Sequence, residues 1–211
     1  MLFRSFITFG TWAVEVIAPP LLGGRWLQLI LVFMACSVAI SFAMGAVVCG
    51  IKWATMGRYE PVVKPMWSFW AMRTEAVAVM YWGLAGRVLL DHLRGTPFLP
   101  WALNTLGAKF GKGVWMDMMD ITEFDCVKVG DFAQLNALCA LQTHLYEDRV
   151  MKVGRVDVGR GVCVGAGSTV LYDTHVGDFA RLGPLTVIMK GEAIPPSTEW
   201  LGAPAEPAKA R

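Results

Sequence analysis

Hydrophobic residues recur every six positions through the C-terminal half of the chain. Val158, Val164, Val170, Val176, Leu182, Ile188 and Ile194 keep this spacing without a slip, and Val129, Leu135 and Leu141 keep it upstream. A single strand, with its period of two, does not produce a period of six. A stack of six-residue strands does, if each turns a corner at a fixed place and sends one aliphatic side chain inward. The residue after the aliphatic is glycine at Gly159, Gly165, Gly177 and Gly183, as a tight corner would want. The fifth position is small or β-branched at Val162, Ser168, Thr174, Ala180, Thr186 and Thr198, with Glu192 the exception. The pattern predicts a mainly β domain over residues 101–211, wound as a parallel β-helix.

Residues 143–152, THLYEDRVMK, interrupt the count. A ten-residue excursion must leave the stack, because the coils on either side resume packing, and such excursions often carry functional groups. This one holds His144, one of only three histidines in the chain, with Tyr146, Glu147, Asp148 and Arg149. An imidazole with a pKa of about 6.5 can take a proton from a nucleophile at neutral pH. The plain alternative is a surface histidine bonded to Glu147 or Asp148. The stretch DITEFD at 120–125 supplies three carboxylates, of which Glu123 or Asp125 is the candidate to orient His144; a solvated turn is the competing reading. His92 and His175 read as structural or exposed. With three dispersed histidines and no paired cysteines, no metal site is expected.

The N-terminal pattern differs. From Trp26 to Ile51 there is no charged residue, longer than the roughly 20 apolar residues a membrane-spanning helix needs. Phe3–Leu22 is a weaker first span, carrying Arg4 and Glu15 and turned back at Pro19-Pro20 and Gly23-Gly24. Residues 1–60 are thus expected to form a two-helix anchor, with no signal peptide. Lys52, Arg58, Lys64 and Arg73 follow it closely, so the positive-inside rule puts the C-terminal domain in the cytoplasm, beneath a multi-pass anchor in the cell membrane. Residues 66–94 read as one helix, with Arg87, Asp91 and Arg94 on one face and Trp67, Phe69, Trp70, Tyr81 and Trp82 as interfacial aromatics. That makes 61–100 an amphipathic interfacial segment and linker, or else a helix that packs on the domain.

Composition sharpens the division. The chain is 55% hydrophobic and 17% charged, its mean hydropathy is +0.47, and the apolar excess lies before about residue 95. A net charge of +2, without a basic run or zinc-finger spacing, excludes nucleic acid as a partner. Five cysteines without a CxxC exclude a disulfide framework and suggest a reducing compartment.

The repeats VGRGVC, VGAGST, VLYDTH, VGDFAR and LGPLTV resemble the hexapeptide repeats of left-handed parallel β-helix acyltransferases, and LGAPAEPAK resembles an ending common there. That resemblance implies a left-handed coil, a trimer, and active sites in clefts between subunits. A longer set, LRGTPFLPWALNTLGAKFGKGVW, DITEFDCVKVGDFAQLNA, LQTHLYEDRVMKVGRV and VLYDTHVGDFARLGPLTVIMKGE, resembles the C-terminal units of ε-poly-L-lysine synthetase-type nonribosomal peptide synthetases. In that family, paired membrane helices alternate with β-helix condensation units that join amino acids delivered as carrier-bound thioesters.

The resemblance implies an amide-forming transferase. Its donor would be a phosphopantetheine thioester, and its acceptor an amino acid or a poly-amino acid. Adenylation and carrier (thiolation) domains become expected partners, because neither sequence occurs in this chain; homotrimers or pseudo-trimers with related units are expected too. His144 is then the base. Glu123, Asp125, Glu147 and Asp148 are candidates for orienting it or holding the acceptor's ammonium group. Asn136 either turns its amide toward the thioester carbonyl or stacks as a ladder between coils. Gly165, Ala166, Arg181 and Lys190 are the candidate donor-binding set, the last two at a pantetheine phosphate or simply on a solvated edge. Two rival readings use the same fold: an acyltransferase taking free acyl-coenzyme A, and a trimeric scaffold without catalysis.

Overall fold

The computed structural model describes residues 25–208. The expected first span, Phe3–Leu22, lies outside the described residues. Helix α1, Trp26–Thr55, is the uncharged run extended by one turn. Its mean hydropathy reaches 2.4, and it is the one helix among the described residues long and apolar enough to cross a membrane. A multi-pass anchor therefore finds no support among them. The chain divides into a compact unit ending at Phe42 and a second beginning at Ala43. The boundaries expected at 60 and 100 fall inside the second unit.

The reason is packing. Strand β1, Val62–Pro65, pairs with a strand nearly ninety residues downstream. Helix α2, Phe69–Met80, starts at Ser68, whose side chain accepts the Ala71 N–H and so satisfies one of the free donors of the first turn. Its inner face, Ala71, Thr74 and Val77, is buried. A π-turn over Tyr81–Gly86 and a 3-10 turn over Leu90–Leu93 follow, so the single helix expected over 66–94 is three pieces. The wider turn falls on the two glycines of YWGLAG, and it seats Tyr81 wholly in the core. There the Tyr81 hydroxyl donates to the Met119 carbonyl at 3.0 Å, and the ring meets Phe124 edge-on. Helix α3, Phe98–Thr105, leads into the coils.

The coils form a left-handed parallel β-helix of three sheets. The first sheet stacks β2 (Lys109–Phe110), β4 (Val127–Val129), β9 (Val156–Val158), β12 (Thr174–Val176) and β15 (Ala193–Ile194). The second stacks β3 (Trp115–Met116), β5 (Gln134–Leu135), β10 (Cys163–Val164), β13 (Arg181–Leu182) and β16 (Glu199–Leu201), with β17 (Glu206–Pro207) antiparallel at its end. The third stacks β6 (Ala140–Gln142), β11 (Thr169–Leu171) and β14 (Val187–Ile188). Val158 pairs with Val176, Val164 with Leu182 and Val170 with Ile188, so three hexapeptides complete one coil. All ten aliphatics of the six-residue series are buried.

The corner is not where the glycines suggested. The left-handed backbone lies three residues past every aliphatic but Leu141, at Phe132, Leu138, Gly161, Gly167, Asp173, Phe179, Leu185, Gly191 and Ser197. The glycine directly after the aliphatic serves the stacking of coils instead. A Cβ on Gly159 would lie 2.5 Å from Asp178 Oδ1 and 2.8 Å from the Val176 carbonyl of the next coil.

Candidate active site at the break in the repeat

Strand register measures the interruption. Val129 pairs with Val158, Leu135 with Val164 and Leu141 with Val170, 29 residues apart instead of 18. The insertion is thus eleven residues, one more than the stretch 143–152. It emerges between the third and first sheets as a hairpin of β7 (His144–Glu147) and β8 (Val150–Val153). Asp148 and Arg149 both have positive φ, the two-residue turn that matches strand twist. β8 also pairs antiparallel with β1, so the excursion is an ordered three-stranded sheet standing off the coil.

The hairpin's first residue points back to the coil. His144 Nδ1 lies 2.8 Å from Glu123 Oε2. The same oxygen accepts the hydroxyls of Thr143 at 2.6 Å and Thr122 at 2.7 Å. Glu123 is fully buried, and its other oxygen, Oε1, has no hydrogen-bond partner. Its placement follows from the coil. The stretch between Met116 and Val129 is one residue longer than the regular repeat and closes in a 3-10 turn over Phe124–Cys126.

Charge explains the pair. Burial pulls the His144 imidazole down, but the hydrogen bond and charge of Glu123, then the charges of Glu75 and Asp120, outweigh it and hold the ring above its ordinary 6.5. Burial pushes Glu123 up, and His144, Thr143 and Thr122 together hold it below its ordinary 4.5. A carboxylate at Nδ1 fixes the tautomer with the proton there and leaves Nε2 free. His144 lines a cavity of about 550 Å³ with Thr122, Tyr146, Glu75, Trp82 and Arg87. Tyr146 meets the His144 ring edge-on and donates its hydroxyl to Glu75 of α2.

The other candidates separate from this site. Asp125 makes a buried ion pair with Lys52 at 2.6 Å and accepts the Tyr59 N–H, fastening the end of α1 instead of orienting His144. Glu147 holds Lys190 and Lys152, and Asp148 is exposed at the hairpin tip, so neither is the partner of His144. Lys190 is thereby an anchor for the hairpin. Asn136 donates to the Val164 carbonyl at 2.7 Å and accepts from Gln134, which is the ladder arrangement. Gly165 and Ala166 lie between the second and third sheets, just before the left-handed Gly167, and Arg181 is exposed on the second. Within one chain they do not join His144. His92 and His175 are exposed and are not among the residues that line the His144 cavity.

Among the polar groups of the site, the sequence reading did not single out Glu75, Arg87 and Thr122 as lining the cavity, or Thr143, buried behind it on Glu123. One signal was available for Glu75, which is the only acidic residue between Met66 and Leu90.

No protein-family model matches the chain. Over 161 residues, 76% of its length, it is 48% identical to a delta-poly-L-ornithine synthetase of Acinetobacter baumannii (strain AB307-0294). The chain is a homologue of one segment of that synthetase. It spans 12% of the synthetase's length. The expected likeness to poly-amino-acid synthetases is therefore present, to one named for poly-ornithine. Solved structures with a similar coil include a hexapeptide-repeat-containing acetyltransferase from Vibrio cholerae. It is 12% identical over 65% of this chain and 92% of that one, at a TM-score of 0.48. A serine acetyltransferase from Neisseria gonorrhoeae is 21% identical over 66% of this chain and 54% of that one, at 0.42.

Proposed function

We propose that the chain is an amide-forming acyltransfer unit of a poly-amino-acid synthetase, with His144 as its general base. The observation that carries this reading is the buried Glu123–His144 pair at the wall of an open cavity. An acceptor amine is mostly protonated at neutral pH, a lysine-type ammonium having a pKa of about 10.4, so a proton must leave as the bond forms. Once the ammonium has lost its first proton to solvent, the neutral amine nitrogen attacks the thioester carbonyl, the C–N bond forms and the C–S bond breaks. His144 Nε2 takes the amine proton and returns it to the departing thiolate. Glu123 remains ionised and stabilises the imidazolium. The donor is an aminoacyl or peptidyl thioester on the phosphopantetheine arm of a carrier protein. Similarity to a segment of a synthetase named for poly-ornithine supports an amino-acid acceptor.

In the same reading, α1 lies in a membrane and the β-helix on its cytoplasmic side, next to Lys52 and Arg58. Exposed apolar corner residues, Phe132, Leu138, Phe179 and Leu185, support assembly with further β-helix units.

The test is single-turnover amide formation by the detergent-solubilised chain, offered a loaded carrier or the matching coenzyme A thioester. Transfer from the carrier, falling about 10²–10⁴-fold in His144→Ala, is expected. Transfer from coenzyme A alone would replace the donor, and no transfer from either would leave a scaffold.

A further inference from the structure

Helix α2 is apolar on both sides. Its inner face, Ala71, Thr74 and Val77, is buried, and Thr74 bonds the Tyr59 hydroxyl. Its outer face is bare: Phe69 is 83% exposed, Met72 58% and Val79 69%, with Ala76 completing the stripe at helical spacing. Trp67, 87% exposed, precedes this stripe, and the half-exposed Trp82 continues it onto the π-turn. Arg73 and Glu75 are its only charged residues. A helix that is hydrophobic all round needs a cover on both sides.

What surrounds α2 indicates the cover. Arg73 Nη1 reaches the Thr55 carbonyl, joining the start of α2 to the last turn of α1, the helix apolar enough to span a bilayer. That last turn is itself held to the coil by Lys52–Asp125 and to the end of α3 by Trp53 Nε1 donating to the Thr105 carbonyl. The stripe is therefore fixed beside the end of α1, which, on the proposed reading of α1 as a membrane helix, is where a lipid headgroup region begins. Exposed Arg58 and Arg73 at this junction suit anionic headgroups. Tryptophan and phenylalanine next to basic residues are the composition of an interfacial segment.

We infer that the outer face of α2 rests on the lipid surface, so that one wall of the His144 cavity borders the bilayer. Val79 and Trp82 belong to both surfaces: they are exposed on the stripe, and they line the cavity. Substrates would then reach His144 along the membrane interface. The docking itself does not depend on the cavity being catalytic.

The test uses the full chain reconstituted in phosphatidylethanolamine–phosphatidylglycerol vesicles. The photocrosslinker p-benzoyl-L-phenylalanine replaces Phe69 or Met72, or Phe179 on a corner of the coil as comparison. All three side chains are exposed, so the fold should tolerate the change. After illumination, mass spectrometry should find lipid adducts at 69 and 72, several-fold more than at 179. Adducts to a second copy of the chain, equal lipid labelling at 179, or no adduct at 69 and 72 would each overturn the inference.

Discussion

The coils after Val156 and the corner that precedes them use the same chain for opposite ends. Downstream, every sixth side chain enters one continuous aliphatic stack, and the polar residues it buries are small ones, Ser168, Thr174 and Thr186, each in a fifth position. At the corner, residues 120–155 bury a carboxylate against an imidazole, insert eleven residues and recruit a strand from before α2. Regularity gives stacking, and its local loss creates a cavity with a charged pair at its wall. A buried ion pair is a poor source of stability, because desolvation offsets the attraction. The proposed role of Glu123–His144 as base and partner gives the pair, with its unpartnered Oε1, a reason that folding stability does not.

The stacked side of this contrast should be the more fragile to small changes. Gly159→Ala places a methyl against Asp178, whose Oδ1 is held by the Arg160 N–H, and against a backbone carbonyl. A loss of about 1–3 kcal/mol is expected, measured by chemical denaturation in detergent. No loss would mean that the coils separate more easily than their packing indicates. The hairpin should respond in the other direction and by less. Arg149 sits at φ 62 in the turn, a backbone that costs a non-glycine residue and not a glycine. Arg149→Gly should gain roughly 0.5–1 kcal/mol, seen as a small rise in melting temperature.

The sequence made the coil legible because a period of six leaves one aliphatic mark per strand, and no other packing demands that spacing. The corner was less legible. The break was visible only as lost spacing; its hairpin turn, Asp148-Arg149, lacks the glycine that usually announces one. Its third strand, Val62–Pro65, lies far upstream and carries no local signal of its partner. Glu123 and Asp125 were equivalent candidates, separated by a 3-10 turn that no spacing rule shows; one turns to His144 and the other to Lys52. A glycine directly after an aliphatic is ambiguous in sequence, since close coil stacking and a left-handed corner both ask for glycine.

The smallest of the expected effects is the most specific: the position of one limb in a pH–rate profile. As the proposed base His144 must be neutral to act, and its folded pKa is raised above 6.5 by Glu123, so the rate should climb with pH through a limb above that value. The same shifts bear on stability. The raised His144 contributes below its unfolded value and loses that contribution as pH rises through its folded one. The lowered Glu123 contributes above 4.5 and loses that as pH falls. The pair therefore supports the fold most between about pH 4.5 and 6.5, while catalysis rises on the alkaline side of that window. Single-turnover amide formation, measured against pH for the wild type and Glu123→Gln, tests the pair directly. Removing the carboxylate charge should move the limb to lower pH and reduce the plateau rate. A limb that stays in place with an unchanged plateau would show that Glu123 does not act through His144, and would contradict the account.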